Sequence, residues 1–211
     1  MHLVSELLDA EAKVGDCVLD PFCGTGTTAL ACAERGITSD TTDINPFLLW
    51  LTRAKTQSYS VDELATFRHL SEDVAQAIRA CEEDPPWIPP IHQIEKWWEE
   101  PTIKALGRAK NSIASAESSV GGKAIDLLKI AFCRTLIAGA NISFGHQSMS
   151  FRKEQIQPAL AGLYTAEALV VESWHQSVSA IFTSGQSPVL VEPSVLLCDA
   201  RDLQDNVPRS V

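Results

Sequence analysis

The chain has 211 residues and a net charge of −10 at pH 7, because 27 aspartates and glutamates outnumber 17 lysines and arginines. This length fits one domain with a sizeable core, and the negative charge argues against broad binding of a nucleic-acid backbone by this chain alone. The sequence has no apolar run of membrane-spanning length and no CxxC pair among its six cysteines. We therefore expect a cytoplasmic protein without a disulfide framework, a metal site or a membrane partner.

A βαβ unit is predicted near the start of the chain. Residues 16–20 (DCVLD) are typical of a short buried strand, and a glycine turn connects them to a helix over about 27–35. Residues 37–45 (ITSDTTDIN) predict a second strand that ends at Asp43, and Pro46 stands where a helix can begin. Strand, helix and strand at this spacing predict a parallel sheet and therefore an α/β fold.

A largely helical region follows the second strand. Helices are predicted over residues 47 to about 84, 91–113 with a break at Pro101, 122–141 and 155–183. The sequence DPPWIPP (84–90) is a proline-rich break, and SFGHQSMSFRK (143–153) is predicted to be a loop.

A third strand is predicted over residues 194–199, ending at Asp199 and Ala200. Most of the chain therefore separates the second strand from the third, which is far more than an ordinary connection needs. We expect an α/β core formed by residues 1–50 and 188–211, with a helical insertion over residues 51–187.

The turn after the first strand indicates the ligand. Gly24, Gly26 and Ala29 match the G-x-G-x-x-A spacing of dinucleotide sites, although this match alone is weak. Asp20 argues against a dinucleotide, because a carboxylate beside this turn would repel a pyrophosphate bound at the following helix N-terminus. S-adenosylmethionine has no phosphate and carries a sulfonium and an ammonium, both of which suit a carboxylate. The turn therefore predicts S-adenosylmethionine as the cofactor.

Two more carboxylates stand at predicted strand ends. Asp43 lies about 20 residues beyond the glycine turn, where an acidic residue binds ribose hydroxyls in βαβ nucleotide folds. Asp199 is placed to accept a hydrogen bond from the adenine amino group. Because parallel strands end at one edge of a sheet, the three carboxylates predict one crevice. The alternative interpretation is that they are ordinary turn and cap residues.

These segments resemble the motifs of the DNA amino-methyltransferases, which methylate adenine N6 or cytosine N4 in restriction–modification systems. LDPFCGTGTT resembles their first motif, TDINP the second and CDARDL the third. HLVSELL (2–8) is similar to the end of the helix before the first motif, and FGHQSMSFR (144–152) to a loop in the helical insertion of one bacterial subgroup. The resemblance implies a Rossmann-like class I methyltransferase fold with a partial parallel sheet and a large helical insertion.

The resemblance also implies a set of cofactor-binding residues. The first motif would line the methionine portion, the second the ribose and adenine, and the third the adenine edge. The implied residues are Asp20, Pro21, Phe22, Cys23, Gly24, Gly26, Thr27, Thr28, Asp43, Ile44, Asn45, Asp199 and Ala200.

The family's catalytic tetrapeptide, Asp/Asn/Ser-Pro-Pro-aromatic, holds the target amine at the end of a fourth strand. This tetrapeptide is matched by Asp84, Pro85, Pro86 and Trp87. However, the sequence before them is charged and helical, and they lie between the second and third motifs. We interpret them as a helix stop with Trp87 packed on the insertion, and we predict no catalytic residue in this chain.

Candidates for DNA contact lie in the predicted loop: His146, Gln147, Ser148, Arg152 and Lys153. The two basic residues would contact phosphates, although an ordinary interhelical loop explains the sequence about equally well. Trp97 and Trp98 are expected to pack between helices and not to stack on a base.

The sequence therefore predicts the S-adenosylmethionine-binding part or subunit of a site-specific DNA methyltransferase. With strands ordered three, two, one, the apolar first strand lies at an edge, where residues 17–20 would pair with a fourth strand. That strand, the catalytic motif and the basic DNA-binding surface would come from a second polypeptide or a missing segment, or the chain would self-associate. Two alternatives stay open: a self-contained methyltransferase that uses residues 84–87, and a catalytically inactive cofactor-binding regulatory subunit.

Overall fold

The computed structural model describes residues 2–80, 87–143, 150–151 and 165–206. In chain order the elements are α1 (His2–Glu11), β1 (Cys17–Asp20), α2 (Thr27–Arg35), β2 (Thr38–Asp43), α3 (Pro46–Thr56), α4 (Val61–Arg79), α5 (Glu100–Ser119), α6 (Lys123–Gly139), β3 (Ile142–Ser143), β4 (Ser150–Phe151), α7 (Ala166–Gly185), β5 (Ser194–Leu197) and α8 (Leu203–Asn206). Single 3-10 turns lie at Ile94–Lys96 and Ala200–Asp202.

The chain divides into two compact units, one formed by Met1–Ser60 with Gly185–Val211 and the other by Val61–Ser184. The first unit contains a three-stranded sheet in the order β1-β2-β5. Both pairings are parallel, with Cys17 opposite Thr38 and Asp40 opposite Ser194. The predicted α/β class, the parallel sheet and the strand order three, two, one are confirmed.

Local signals explain the helices of the first unit. Helix α2 is followed by Gly36 at φ 69°, and the N–H groups of Gly36 and Ile37 donate to the carbonyls of Ala33 and Cys32. This glycine termination is common because only glycine adopts that conformation without strain. Helix α3 begins at Pro46, and Asn45 caps it by accepting a hydrogen bond from the Phe47 N–H. The predicted start of this helix is confirmed.

One part of the core of the first unit lies between the sheet and the first two helices, and another part contains Leu49 of α3 with Val195 of β5. Leu8 of α1 is buried with Ala31 and Cys32 of α2 and with Ile37, and Val18 of β1 packs against this cluster. The helix predicted just before the first motif is therefore present and packs on α2.

Several predicted boundaries are wrong. Strand β2 covers 38–43, so its predicted end at Asp43 is confirmed, whereas β5 ends at Leu197 and not at residue 199. In both cases an aspartate side chain accepts a hydrogen bond from the backbone two residues ahead, which starts a turn in place of a further strand pair. The mostly helical region expected from residue 47 to about 84 contains two helices in its described part, because Gln57 is extended (ψ 153°) and ends α3.

The second unit is mostly helical. Helices α4, α5 and α6 pack on one another, around buried side chains that include Phe67, Ile78 and Leu128. Trp174 of α7 is also fully buried, and its indole N–H donates to the Ser71 carbonyl at 2.9 Å. The helix expected over 91–113 begins only at Glu100, after a 3-10 turn, and the one expected at 155–183 is described from Ala166 to Gly185.

Two short strands overlap the predicted loop at 143–153 of the second unit, so that prediction is wrong at Ser143 and at Ser150–Phe151. Strands β3 and β4 pair antiparallel, with Ile142 opposite Phe151. The segment between them lies outside the described residues. Across the described helices, we find none with the length and apolar character that a membrane span requires.

Candidate functional site

The turn between β1 and α2 is fixed to the neighbouring strand. Asp20 ends β1, and its Oδ1 accepts a hydrogen bond from the Phe22 N–H at 3.1 Å. The Cys23 N–H then donates to the Thr42 carbonyl at 2.9 Å, and the Thr42 hydroxyl donates to the Pro21 carbonyl at 3.1 Å. The first half of the turn therefore continues the attachment of β1 to β2 beyond the last strand pair.

The second half of the turn requires glycine. Gly24 has φ 50° and Gly26 has φ 76°, a left-handed conformation that other residues adopt with strain. A Cβ atom on Gly26 would lie 2.7 Å from Oγ1 of Thr52 in α3, which is closer than side chains approach. Gly26 therefore permits close packing of the turn on α3, and Thr27 and Thr28 follow it as the first residues of α2.

Asp43 joins the two predicted cofactor motifs. Its Oδ2 accepts a hydrogen bond from the Gly24 N–H at 3.0 Å, and its Oδ1 accepts one from the Asn45 N–H at 2.9 Å. Each carboxylate oxygen can accept two hydrogen bonds, so each retains capacity for a ligand hydroxyl. Asp43 thus holds the glycine turn against the end of β2 while keeping the capacity to accept further hydrogen bonds.

Asp199 lies beyond the end of β5 and is engaged by Arg201. Its Oδ1 accepts hydrogen bonds from the N–H and Nε of Arg201, and its Oδ2 pairs with a terminal guanidinium nitrogen. These contacts lower the pKa of Asp199 to about 2. Asp199 caps the 3-10 turn that begins at Ala200. Its contact with adenine stays a prediction, since a ligand would share the carboxylate with Arg201.

The ends of β2 and β5 are also joined directly. The Cys198 N–H donates to the Asp43 carbonyl at 3.3 Å, which brings the second and third motifs together. Large apolar side chains stand exposed around this edge: Phe22 is 75% exposed, Ile44 70% and Leu197 64%. Apolar side chains clustered beside polar strand ends are typical of a binding site for a partly apolar ligand.

The pKa of the Cys23 thiol reflects the burial and the negative charge of the turn. Burial raises its pKa above the usual value, and the negative charges of Asp43 and Asp20 raise it further, against the opposing effect of a hydrogen bond with Thr52. Cys23 is therefore a neutral, buried thiol at physiological pH. No group of three histidine, cysteine or acidic side chains suited to hold a metal ion occurs within the described residues.

Two residues of α3 that the sequence did not indicate also contact the turn. The Thr52 hydroxyl donates to the Gly24 carbonyl at 3.4 Å, and Lys55 Nζ donates to the Thr25 carbonyl at 2.7 Å. Their spacing of three residues is visible in the sequence, but nothing in it shows which helix face meets the turn.

The tetrapeptide at 84–87 is described only at its last residue. Trp87 is half exposed, and Lys110 Nζ lies 4.5 Å from its ring centroid. It lines an apolar cavity of about 270 Å³ together with Trp98, whose indole N–H donates to the Leu136 carbonyl. Trp97 contacts the ring of Phe151 edge-on at 5.2 Å. Asp84, Pro85 and Pro86 lie outside the described residues, as do the five DNA-contact candidates.

Comparison with known proteins relates the first unit to a family. Residues 1–54 match the family model described as DNA methylase. The resemblance to the DNA amino-methyltransferases is confirmed for this segment. The matched residues, hereafter the methylase segment, include Asp20, the glycine turn and Asp43, and end within α3.

A relative found by sequence search agrees with this assignment. A stretch of 63 residues is 42% identical to a protein named Type II methyltransferase M.MjaII from Methanocaldococcus jannaschii. The stretch covers 30% of this chain and 12% of that protein. No solved structure matches the chain.

Proposed function

We propose that this chain is the S-adenosylmethionine-binding part of a site-specific DNA methyltransferase that acts on the exocyclic amine of adenine or cytosine. The observation that carries the proposal is the hydrogen bond from Gly24 to Asp43, because it unites the first two motifs of the methylase segment at the carboxyl edge of a parallel sheet. We include a Rossmann-like class I fold in the proposal, supported by the parallel order β1-β2-β5.

The charge of the turn supports a cationic cofactor. The carboxylates of Asp20 and Asp43 both raise the pKa of Cys23, so both act on the turn electrostatically. A pyrophosphate at the start of α2 would be repelled by them, whereas a sulfonium or ammonium would be attracted. The carboxylates around the turn therefore fit S-adenosylmethionine better than a dinucleotide.

The proposed role of this chain is to bind and orient the methyl donor. When bound, S-adenosylmethionine supplies an electrophilic methyl group for direct transfer to the exocyclic amine. Asp20 and the glycine turn would hold the methionine portion, and Asp43 would accept hydrogen bonds from the ribose. Ile44, beside Asp43, and Ala200, beside Asp199, would contact the adenine. Proximity and orientation of this kind account for much of the rate of a transfer reaction.

The groups that hold the target base are proposed to lie elsewhere. Strand β1 pairs with β2 on one side, and its other edge has no strand partner among the described residues. Its sequence, CVLD, lacks the lysines and prolines that protect natural edges. We propose that a fourth strand, from a second polypeptide or a further segment, pairs with Cys17–Asp20 and brings the catalytic Pro-Pro-aromatic motif and a DNA-binding surface.

Calorimetry with S-adenosylhomocysteine tests the cofactor assignment. Wild-type chain should bind this compound and not NAD, and Asp43→Ala should weaken binding by about 1.5–3 kcal/mol because a charged acceptor is lost. Glu34→Ala is the matched control, since Glu34 is an exposed carboxylate of α2 in the same unit. Equal affinity in Asp43→Ala would remove the proposed role of Asp43, and preference for NAD would overturn the cofactor itself.

A mixing experiment tests the division of the enzyme. The chain alone should transfer no methyl group to DNA, and addition of a polypeptide carrying the Pro-Pro-aromatic motif should restore transfer. Methylation of DNA by a monodisperse monomer of this chain would contradict the division. Cofactor binding without transfer in any such mixture would favour an inactive regulatory subunit.

A further inference from the structure

Side chains of helix α3 donate hydrogen bonds to carbonyl groups of the glycine turn. The Gly24 carbonyl accepts from the Thr52 hydroxyl, and the Thr25 carbonyl accepts from Lys55 Nζ. The preceding Cys23 carbonyl accepts from the Gly26 N–H at 2.8 Å. Three successive carbonyl oxygens are therefore satisfied within the protein, two of them by side chains of one helix.

The contact between α3 and the turn leaves no free space. Thr52 is fully buried, and a Cβ atom on Gly26 would approach its Oγ1, Cγ2 and Cβ to between 2.7 and 3.0 Å. The Thr52 hydroxyl also lies 3.7 Å from the Cys23 sulfur. A turn packed this tightly cannot rotate its peptide groups without displacing α3.

The orientation of these carbonyls determines where the amide donors point. A peptide group is planar and trans, so its N–H points opposite to its C=O. Because Thr52 holds the Gly24 carbonyl toward α3, the Thr25 N–H of the same peptide group points away from α3. This leaves a backbone donor directed away from the helix, next to the proposed methionine site.

We propose that Thr52 and Lys55 are positioning residues for the cofactor: they fix the Gly24 and Thr25 peptide groups so that the turn presents a backbone N–H to the carboxylate of the methionine portion. This inference rests on the proposed function and adds a specific role for α3 to it. The Lys55 ammonium, beside the turn, also favours a ligand with a carboxylate at that end.

A substitution of Lys55 can distinguish a role of this residue in ligand binding from a role in folding. It is half-buried, and burial lowers its pKa, which means that the folded state disfavours its charge. Replacement by the neutral, similarly shaped methionine relieves this desolvation while removing the hydrogen bond to Thr25. We therefore expect Lys55→Met to change the thermal midpoint by less than about 4 °C while weakening binding.

The test uses the full chain and S-adenosylhomocysteine in calorimetry. Lys55→Met and Thr52→Val should each weaken binding about tenfold, and Thr52→Ser, which keeps the hydroxyl, should bind like wild type. Lys13→Met, at an exposed lysine of the same unit, is the control and should bind normally. In the absence of ligand, hydrogen exchange at the Gly26 amide, whose N–H donates to the Cys23 carbonyl, should quicken in Lys55→Met and Thr52→Val only.

The outcomes separate this inference from the proposed function. If wild type does not bind S-adenosylhomocysteine, the proposed function is wrong. If wild type binds and the folded variants Lys55→Met and Thr52→Val bind equally well, with unchanged exchange at Gly26, the positioning role is wrong and the proposed function stands. If Thr52→Val does not fold, Lys55→Met against Lys13→Met decides.

Discussion

The backbone N–H of Gly24 donates a hydrogen bond to Oδ2 of Asp43 at 3.0 Å, although 19 residues separate them in the chain. One carboxylate thereby fixes the glycine turn and ends a strand. The same carboxylate stands where βαβ nucleotide folds bind ribose. Binding of a ligand to Asp43 is therefore coupled to the conformation of the turn.

Replacement of Gly26 should destabilise the first unit more than replacement of a glycine in open space. Gly26→Ala combines a left-handed backbone with a collision at Thr52, whereas Gly15→Ala has φ 105° with nothing within 4 Å. We expect a loss of roughly 1–2 kcal/mol from backbone strain in both variants, and at least about 1 kcal/mol more in Gly26→Ala. Urea unfolding measures the difference, and equal losses would show that the close approach to Thr52 has no energetic effect.

The Asp199–Arg201 pair should titrate in the acidic range. The pKa of Asp199, about 2, lies below the usual carboxyl value of 3.8. The pair therefore stabilises the fold when the pH is above 3.8, and this effect is lost as the pH falls toward 2. In Arg201→Met the pKa should rise toward ~3.9, although the backbone N–H of residue 201 still donates to it. A carboxyl titration by NMR that is unchanged in Arg201→Met would contradict the assigned cause.

Cys23 should resist alkylation in the native chain. It is 5% exposed, and burial together with two neighbouring carboxylates raises its pKa. Since thiolates and not thiols react, iodoacetamide at pH 8 should leave Cys23 unmodified in the folded protein and modify it in urea. Mass spectrometry of the peptide that contains Cys23 gives the result. Rapid native labelling would show that the turn opens or that the thiol is ionised.

Asp84 should be dispensable for methyl transfer. Because we interpret residues 84–87 as a helix stop, Asp84→Ala should leave the rate of DNA methylation by the reconstituted enzyme nearly unchanged. Transfer of a labelled methyl group measures that rate, with circular dichroism and cofactor affinity as controls for folding. A rate reduced by about 1,000-fold in a folded, cofactor-binding variant would instead make this segment catalytic.

The sequence predicts those parts of the structure that local chemistry determines. Helix α2 spans the predicted residues 27–35 because Gly26 and Gly36 mark its ends, and Pro46 marks the start of α3. The end of β2 was predicted correctly at Asp43, but the end of β5 was predicted too late because the Asp199 side chain satisfies a backbone N–H group itself. Sequence patterns indicate strand residues but not this competition between side chain and ladder.

Contacts between distant segments could not be predicted from the sequence. The aspartate and glycines of the turn were predicted as a cofactor site, but the contacts of Thr52 and Lys55 with the turn depend on how α3 packs. Periodicity places both residues on one helix face without showing what that face meets. The pairing of Asp199 with Arg201 was likewise invisible, since neighbouring charges of opposite sign are usually solvated separately.

The most direct test of the central claim is the response of the backbone amides to S-adenosylhomocysteine in two-dimensional ¹⁵N–¹H NMR spectra. Binding at the proposed site should shift the amides of the turn, above all Gly24 and Gly26, together with those of Asp43, Ile44 and Ala200. Amides of the second unit, such as those of α5, should stay unchanged. Shifts confined to the second unit, or no shifts at saturating ligand, would contradict a cofactor site at the ends of β1, β2 and β5.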